Sequence, residues 1–340
     1  MKGLLSLQNM QEKKIGRGED SDPILIIFED SVLLGVFDGM GGAGGAECVS
    51  DYGEDKTKAY VGSRIVKDAI EGFVKKHPES IKETNFREAL KSIIQTRYAE
   101  EKGKYPPKSK GGLRSALIKE YPTTLAITSI REDDHQYIID SYWAGDSRNY
   151  IWSPKGLFQI SIDDLKGNLD PLENLHEDAP MSNCVQADGP FTINHKEILG
   201  FKKSDKFLLI SATDGCFGYY PSPMDFEKAL IDTLRNANSL EEWKERLTMA
   251  FSYITADDFS FSIIAIGFKD FKDLKKAFKK SHLINDYSQR RRIFESKVRE
   301  RKALAEKIAK EEAELNEEIN RLWPQYKANY LKFMQPDEER

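Results

Sequence analysis

The sequence pattern is compatible with an α+β fold, because groups of predicted strands and groups of predicted helices occupy separate stretches of the chain. Apolar runs of strand length occur near the N-terminus, return in the middle of the chain and appear twice more before residue 270. Amphipathic helical patterns lie between these groups and do not alternate with single strands. A long, highly charged segment follows and predicts a helical extension.

The predicted elements follow the apolar periodicity along the chain. Strands at 24–28 and 32–37 are joined by Glu29-Asp30-Ser31, which fits a tight hairpin turn. Five further strands are predicted over 123–130, 136–143, 149–152, 206–212 and 259–268. Four helices are predicted over 65–74, 86–98, 224–236 and 239–253. Residues 102–112 read as a loop, and 161–205 as a long irregular segment, which in a compact domain is usually functional.

Composition and charge exclude several classes of protein. The chain has 51 basic and 56 acidic residues, a net charge of −5, which gives no indication of nucleic-acid or membrane binding. Cys48, Cys184 and Cys216 are scattered, so they predict neither a disulfide framework nor a zinc site. No apolar run reaches the roughly 18 residues of a membrane span, and none near the N-terminus suits a signal peptide. We therefore expect a soluble, cytoplasmic protein.

The C-terminal part of the chain differs in character from the rest. Residues 286–322 contain no Gly or Pro and are basic early and acidic late, which predicts a long helix. Ile308, Leu315 and Leu322 keep seven-residue spacing, but the partner positions of a coiled coil hold Leu304, Glu311 and Glu318, so the apolar seam is poor. The pattern favours a solvated helix that docks its few apolar residues on the main domain. A protein partner bound through this helix stays open as an alternative.

Three acidic motifs stand at the ends of predicted strands: Phe37-Asp38-Gly39, Thr213-Asp214-Gly215 and Asp257-Asp258-Phe259. Glu19-Asp20 adds a fourth acidic site before the first hairpin. A single Asp-Gly is typical of a turn, but carboxylates held on several strand ends can converge on one site. Their mutual repulsion then requires cations, and sets of oxygen ligands suit Mg²⁺ or Mn²⁺.

The glycines after Asp38 allow a competing interpretation. Residues 39–44 fit the G-x-G-x-x-G pattern of a dinucleotide-binding loop. That fold would need one helix, then a second parallel strand and an acidic residue about 20 positions further on. Two helical patterns follow instead, and the expected acidic position falls in the segment from Lys58 to Arg64. The dinucleotide interpretation is therefore disfavoured.

The acidic motifs and their neighbours resemble those of the type 2C metal-dependent serine/threonine protein phosphatases. The matching segments occur in the family's order: Glu19-Asp20, 36–42, Thr123-Thr124-Leu125, 144–148, 211–215 and 257–260. The resemblance implies a four-layer α-β-β-α sandwich of two antiparallel sheets. It places a catalytic domain at 1–268, with a flap over the substrate at 161–205, and a helical extension at 269–340.

The same resemblance implies the metal ligands, namely those of two Mn²⁺ or Mg²⁺ ions and of a third, weaker one. Asp38 would bridge the two ions, with the backbone carbonyl of Gly39 as a further ligand. The remaining implied ligands are carboxylates. Asp214 and Asp257 would hold one ion, and Asp146 would bind the third. Asp20, with Glu19 beside it, would act mainly through metal-bound water. The predicted catalytic residues are Asp38, Asp214, Asp257 and Glu19.

The implied reaction is hydrolysis of phosphoserine or phosphothreonine on protein substrates by a water or hydroxide that the two ions activate. Two departures from the family pattern bear on it. Met40 replaces a frequent His and cannot donate a proton, a contribution worth about 10²–10⁴-fold in rate. Ile15 replaces the usual phosphate-binding Arg, which leaves Arg17 or Lys14 as candidates. Arg148 is interpreted as a structural ion-pair partner and not as a substrate ligand. A degenerate phosphatase domain that binds phosphoproteins, with the C-terminal helix as its working part, is the alternative.

Overall fold

The computed structural model describes residues 4–105, 118–167, 170–176, 179–280 and 282–332. The chain divides into two compact units, residues 1–281 and residues 282–340. The predicted boundary between a catalytic domain and a helical extension, at 268/269, stays a prediction. The two compact units of the structure meet further along the chain, at 281/282. Within the described ranges, no helix combines the length and apolar character that a membrane crossing requires.

Two five-stranded antiparallel sheets form the centre of the first unit. The first sheet has the strand order β1 (Leu5–Gln11), β12 (Phe259–Ile266), β11 (Phe207–Ala212), β8 (Arg148–Ser153) and β9 (Gly156–Gln159). The second has the order β10 (Asn194–Lys202), β7 (Gln136–Ala144), β6 (Leu125–Glu132), β3 (Ser31–Val36) and β2 (Ile24–Ile27). A small hairpin is formed by β4 (Glu47–Ser50) and β5 (Gly53–Thr57).

Helices cover the outer face of each sheet. The helices of the first unit are α1 (Gly41–Gly44), α2 (Lys58–Lys76), α3 (Phe86–Lys104), α4 (Asp214–Phe217), α5 (Pro223–Asn236), α6 (Leu240–Ile254) and α7 (Phe271–Ala277). Apolar residues of α2 and α3 form one buried cluster with the second sheet. On the first sheet, Trp243 of α6 contacts Trp152, and Phe251 contacts Phe259 and Phe261. The α+β class and the four-layer sandwich are therefore confirmed.

The space between the two sheets is filled by apolar side chains, except at one polar crossing. Val32 and Leu34 of β3 share a buried cluster with Leu209 of β11 and Ile264 of β12. Asn149 of β8, which is fully buried, donates hydrogen bonds to main-chain carbonyls of both β6 and β7 in the opposite sheet. Because a buried amide must be satisfied, this side chain ties the two sheets in one register.

Most predicted elements are present, with bounds shifted by a few residues. The irregular segment predicted at 161–205 is corrected, because its last part forms β10 at the edge of the second sheet. Four other strands were not predicted: β1, β4, β5 and β9. The loop predicted from residue 102 begins later, because α3 continues to Lys104, and its residues 106–112 lie outside the described part of the chain.

The second unit consists of one helix, α8 (His282–Tyr330), over its described part. The sequence predicted this helix over 286–322, and the structure extends it at both ends. Pro324 lies inside its last turns. Most of the described side chains of α8 are exposed, as its high charge predicts.

Replacing Asn149 by Leu is expected to lower the free energy of unfolding by about 3 kcal/mol, because buried carbonyls of β6 and β7 lose their donor. Urea denaturation of the two proteins measures this difference. Asn236→Leu, at an exposed position of α5, is the matched control and should change stability by no more than about 0.5 kcal/mol. Equal losses in the two variants would show that the polar crossing contributes nothing to stability.

Candidate functional site

The acidic motifs lie together at one end of the sandwich, where several strands begin or end. In the first sheet β11 ends just before Asp214, and its antiparallel partner β12 begins just after Asp257. In the second sheet β3 ends just before Asp38. The turn from β7 to β8, which crosses between the sheets, carries Asp146, and the link from β1 to β2 carries Glu19-Asp20. Separate parts of the sequence thus meet at one place because antiparallel strands bring their ends to the same edge.

The main chain of Asp38 is held by two threonines at the start of β6. The amide of Thr124 and the hydroxyl of Thr123 both donate to the Asp38 carbonyl, at 2.8 and 2.7 Å. The amide of Asp38 donates to the Thr124 hydroxyl at 3.2 Å. Thr124 also lies 2.6 Å from the hydroxyl of Ser147 in the β7–β8 turn. The carboxylate of Asp38 therefore projects from a backbone that is fixed on both sides.

Asp20 and Glu19 are each positioned by a threonine hydroxyl. Thr213, at the end of β11, donates to Asp20 Oδ2 at 2.9 Å and accepts the amide of Ser260 at 2.8 Å. Thr57 donates to Glu19 Oε1 at 2.5 Å. Asp20 is almost fully buried, whereas Glu19 is only partly so. Thr213 thus connects the Glu19-Asp20 segment to the adjacent strands β11 and β12 of the first sheet.

Arg64 of α2 is the cation that contacts this acidic segment. Its guanidinium donates to the main-chain carbonyls of Glu19 and Asp20, at 3.1 and 2.7 Å, and lies over the ring of Tyr60 at 3.3 Å. It also donates to the carbonyl of Tyr60 and to the hydroxyl of Ser63. Because these bonds engage carbonyls and a hydroxyl, Arg64 shapes the backbone here and does not form an ion pair with either carboxylate.

Asp146 lies in a turn that a buried ion pair stabilises. Arg148 Nε and Nη2 donate to the two carboxylate oxygens of Asp163 at 2.9 and 2.6 Å, and both side chains are about 3% exposed or less. The amide of Gly145 donates to Asp164 at 3.0 Å. The sequence predicted Arg148 to be a structural ion-pair partner, and the bidentate pair confirms this part of the prediction.

Asp258 fastens the link between β1 and β2 to the start of β12. Its two oxygens accept the amides of Lys13 and Glu19, at 2.6 and 2.7 Å. Its neighbour Asp257 is more exposed, and the amide of Asp258 donates to the carboxylate of Asp257 at 2.8 Å. The Asp257-Asp258 pair therefore divides into one residue that holds the backbone and one that faces the acidic cluster.

Gly39 is required by close approaches of the backbone. A β-carbon at this position would lie 2.5 Å from the carbonyl oxygen of Ala59 and 2.7 Å from that of Glu19. Hydrogen bonds from Thr124 N–H to Asp38 O and from Met40 N–H to the carbonyl of residue 122 flank Gly39. This pairing leaves the Gly39 carbonyl itself unused, as a ligand role requires.

Burial raises the pKa of the carboxyl groups in this cluster. It raises the pKa of Asp20 to about 8, of Asp146 to about 7 and of Asp214 to about 6. The pKa of Asp38 lies well above its usual range, first because of burial and then because of the neighbouring charges of Asp20 and Asp214. Burial likewise raises the pKa of two further members, Glu19 and Asp257. The cluster therefore resists carrying its full negative charge.

The chemistry of this cluster fits hard divalent cations. Burial and the nearby negative charges of Asp20 and Asp214 disfavour the ionised form of Asp38, and a bound cation would remove this penalty. Among the described residues, no group of three or more His, Cys, Asp or Glu side chains has the arrangement that holds a metal ion. The donors are all oxygen atoms, however, and such donors suit Mg²⁺ or Mn²⁺.

The predicted phosphate-binding residues stay predictions. Lys14 and Arg17 are exposed, and within the described ranges no hydrogen bond or ion pair connects either side chain to the carboxylates. Ile15, at the position where relatives carry Arg, is 97% exposed. Sequence reasoning missed Arg64, which lies outside every quoted motif on the inner face of α2. Thr213 lies within the Thr213-Asp214-Gly215 motif, but its hydrogen bond to Asp20 was not predicted.

A cavity of about 360 Å³ adjoins the cluster. Asp146 and Asp214 line one side of it, together with the buried Arg148–Asp163 pair. Residues of the 161–205 segment, including His176, line another side, and Asn174 donates to Asp163 at 3.2 Å. Part of the predicted flap thus lies beside the carboxylates, although its last part belongs to the second sheet.

Solved structures with a similar fold include serine/threonine phosphatases. The Mycobacterium tuberculosis serine/threonine phosphatase PstP/Ppp matches with a TM-score of 0.51 and 17% identity, covering 77% of this chain and 98% of that one. Serine/threonine phosphatase Stp1 from Staphylococcus aureus gives 0.52 and 17%, covering 77% and 94%. The PPM Ser-Thr phosphatase MsPP from Mycobacterium smegmatis, in complex with cacodylate, gives 0.50 and 12%, covering 77% and 98%.

These matches show that the chain has the fold of the PPM-type, or type 2C, phosphatases. The resemblance stated from the sequence motifs is confirmed at this level. No family model matches the sequence, and no curated protein matches it. Identities of 12–17% carry the fold alone, so the activity has to be argued from the site.

The metal-free protein is expected to lose stability as the pH rises from about 4 towards 8. A folded-state pKa above the unfolded value means that the folded state binds more protons in this interval, between the ordinary 3.8 of Asp and the value of about 8 for Asp20. Unfolding temperatures measured in EDTA across this range test the slope. Added Mn²⁺ should raise the unfolding temperature at pH 8 by roughly 5 to 10 °C at a hundredfold excess over its dissociation constant, and by less at pH 5.

The opposite slope in EDTA, or an equal Mn²⁺ effect at both pH values, would contradict this account of the cluster. Ca²⁺ serves as the matched control for ionic strength and charge, because its preference for more ligands at longer distances predicts a smaller shift.

Proposed function

We propose that the protein hydrolyses phosphoserine or phosphothreonine on other proteins, with two Mn²⁺ or Mg²⁺ ions as cofactors. Asp38 would contact both ions, with the Gly39 carbonyl beside it, and Asp214 and Asp257 would hold one of them. Asp20 and Glu19 would act mainly through water, and Asp146 would serve a third, weaker site. When bound, such ions supply a water of lowered pKa and neutralise the charge of a phosphoryl group.

The observation that carries this proposal is the convergence of acidic groups from five separate segments at one end of the sandwich, where strands of both sheets begin or end. Their raised pKa values indicate that burial and mutual repulsion oppose full ionisation. A protein gains nothing in stability from such a cluster, so the arrangement is better explained by ligands for cations. The fold supports the same conclusion, because the solved phosphatases above share it.

The residues of this chain have distinguishable duties in the proposed reaction. Thr123 and Thr124 fix the backbone of Asp38, and Thr213 fixes Asp20, so these carboxylates would accept a cation with little rearrangement of the main chain. Arg64 holds the Glu19-Asp20 segment through its carbonyls. The cavity beside Asp146 and Asp214 would admit the phosphorylated side chain from solvent.

The alternative function is a phosphoprotein-binding domain without turnover. Met40 has no proton to donate to a leaving alkoxide, and the exposed Ile15 stands where relatives carry a phosphate-binding Arg. The acidic cluster argues for the enzyme, because binding of an anionic phosphoprotein would be opposed by uncompensated carboxylates. Turnover measurements on folded wild-type protein separate the two functions directly.

Replacing Asp38 by Ala should lower Mn²⁺-dependent hydrolysis of p-nitrophenyl phosphate by roughly 10²–10³-fold or more, because the proposed bridging ligand is lost. The Mn²⁺-induced rise in unfolding temperature should shrink in the same variant. Asp134→Ala is the matched control, since Asp134 is exposed in the β6–β7 turn at the opposite end of these strands. It should leave both measurements unchanged.

A folded wild type without metal-dependent turnover would rule out the enzyme and leave the binding function. Full activity in Asp38→Ala would instead show that hydrolysis occurs without the proposed centre. The thermal readout distinguishes these cases, because it reports cation binding whether or not the substrate reacts.

Replacing Met40 by His should raise kcat on a phosphoserine peptide, by up to about 10²-fold, because an imidazolium can protonate the leaving alkoxide. The rate on p-nitrophenyl phosphate should change little, since nitrophenolate leaves without a proton. Met40→Leu is the control for side-chain size and should match the wild type on both substrates. An equal gain on both substrates would show that the introduced imidazole acts in some way other than as a proton donor.

A further inference from the structure

The helix α8 carries a stripe of exposed apolar side chains. Six apolar residues at spacings of three, four or seven lie along one side of the helix: Leu304, Ile308, Leu315, Ile319, Leu322 and Tyr326. Each of these six side chains is between 46% and 62% exposed. A long helix usually owes its stability to the packing of such a face. The stripe therefore indicates a surface that a partner covers.

Charged residues lie on or beside this stripe. They are mainly basic in its N-terminal half and acidic in its C-terminal half. Arg301 falls on the stripe in the earlier half, where residues 297–302 hold four basic residues and one acidic residue. Glu312 falls beside the stripe in the later half, where residues 311–318 hold five glutamates and no basic residue. Two copies of this helix that run in opposite directions would therefore place opposite charges beside each other along the stripe.

We propose that α8 binds α8 of a second copy of this chain, as an antiparallel pair. In one register Arg301 of each copy faces Glu312 of the other, which places the basic half of one helix against the acidic half of its partner. The same register pairs apolar side chains on both sides of this contact: Phe294 with Ile319, Val298 with Leu315 and Ala305 with Ile308. The contact is isologous, as a twofold-symmetric dimer requires.

A parallel pairing fits the same sequence poorly. It would set the glutamates of 311–318 against the identical residues of the other copy and the basic residues of 297–302 against one another. Like charges at facing positions destabilise such pairs. The antiparallel direction removes both repulsions at once. An overlap over residues 291–322 would span about 48 Å at 1.5 Å per residue, enough for several turns of apolar contact.

This pairing is independent of the proposed phosphatase activity, because its test reads molecular mass and not turnover. The full-length protein is expected to be a dimer by analytical ultracentrifugation, in a concentration-dependent equilibrium. Arg301→Glu should raise the dissociation constant by on the order of tenfold, since two facing ion pairs become two like-charge pairs. Glu312→Arg should do the same. The double variant Arg301→Glu/Glu312→Arg should restore wild-type affinity, because the swap recreates both pairs.

The matched control is Arg299→Glu/Glu317→Arg. Both positions lie about 200° around the helix from stripe residues, two places from Arg301 and from Leu315. This variant carries the same change in charge and also sets like charges four residues apart within the helix, at Glu295 and Arg321. It should dimerise as the wild type does. Any loss caused by helix unwinding would appear in it at least as strongly.

Three results would overturn the proposal. The first is a wild-type protein that stays monomeric at every accessible concentration. The second is a dimer that Arg301→Glu leaves intact, as a parallel pair would, because there one like-charge pair replaces another. The third is a failure of the double swap to rescue a loss seen in both single variants. Circular dichroism of each variant verifies that the helix is formed.

Discussion

The clustering of partly or fully buried carboxylates, in which burial and neighbouring charge both disfavour ionisation, is the constraint around which the first unit is arranged. Asp20, Asp38, Asp146 and Asp214 each have a raised pKa, and burial is the largest cause for every one of them. The fold keeps them together by fixing their backbones through threonines, not by neutralising their charges. The four-layer sandwich supplies the necessary rigidity, since strand ends anchored in two packed sheets cannot move apart to relieve the repulsion.

Much of this site could be predicted, because its acids stand in short motifs next to strongly apolar strands. Asp38, Asp214 and Asp257 follow or precede β3, β11 and β12, whose residues are almost all buried. A continuous apolar run of this kind predicts both the strand and the residue at which it ends. The prediction that Arg148 forms a structural ion pair succeeded for a similar reason, since a basic residue at the start of a buried strand needs a partner.

Other parts could not be predicted from periodicity. The strands β9 and β10 lie at sheet edges, and most of their side chains are partly or fully exposed, so they carry little apolar signal. The link from β1 to β2 is tied down by Asp258 through backbone amides, which leave no trace in residue type. Arg64 resembles any other charged residue of an amphipathic helix until the fold brings it to the carbonyls of Glu19 and Asp20.

The use of the two nearby arginines bears on what the cluster is for. Arg148 has both oxygens of Asp163 as partners, and the guanidinium of Arg64 is engaged by main-chain carbonyls. A cluster maintained for stability would direct these cations at the carboxylates, because a buried negative charge without a partner is costly. Here the permanent cations are held beside the site and support its backbone. This keeps the carboxylate oxygens available for cations from solvent, and those cations can in turn bind a phosphoryl group, which arginine-paired carboxylates could not attract.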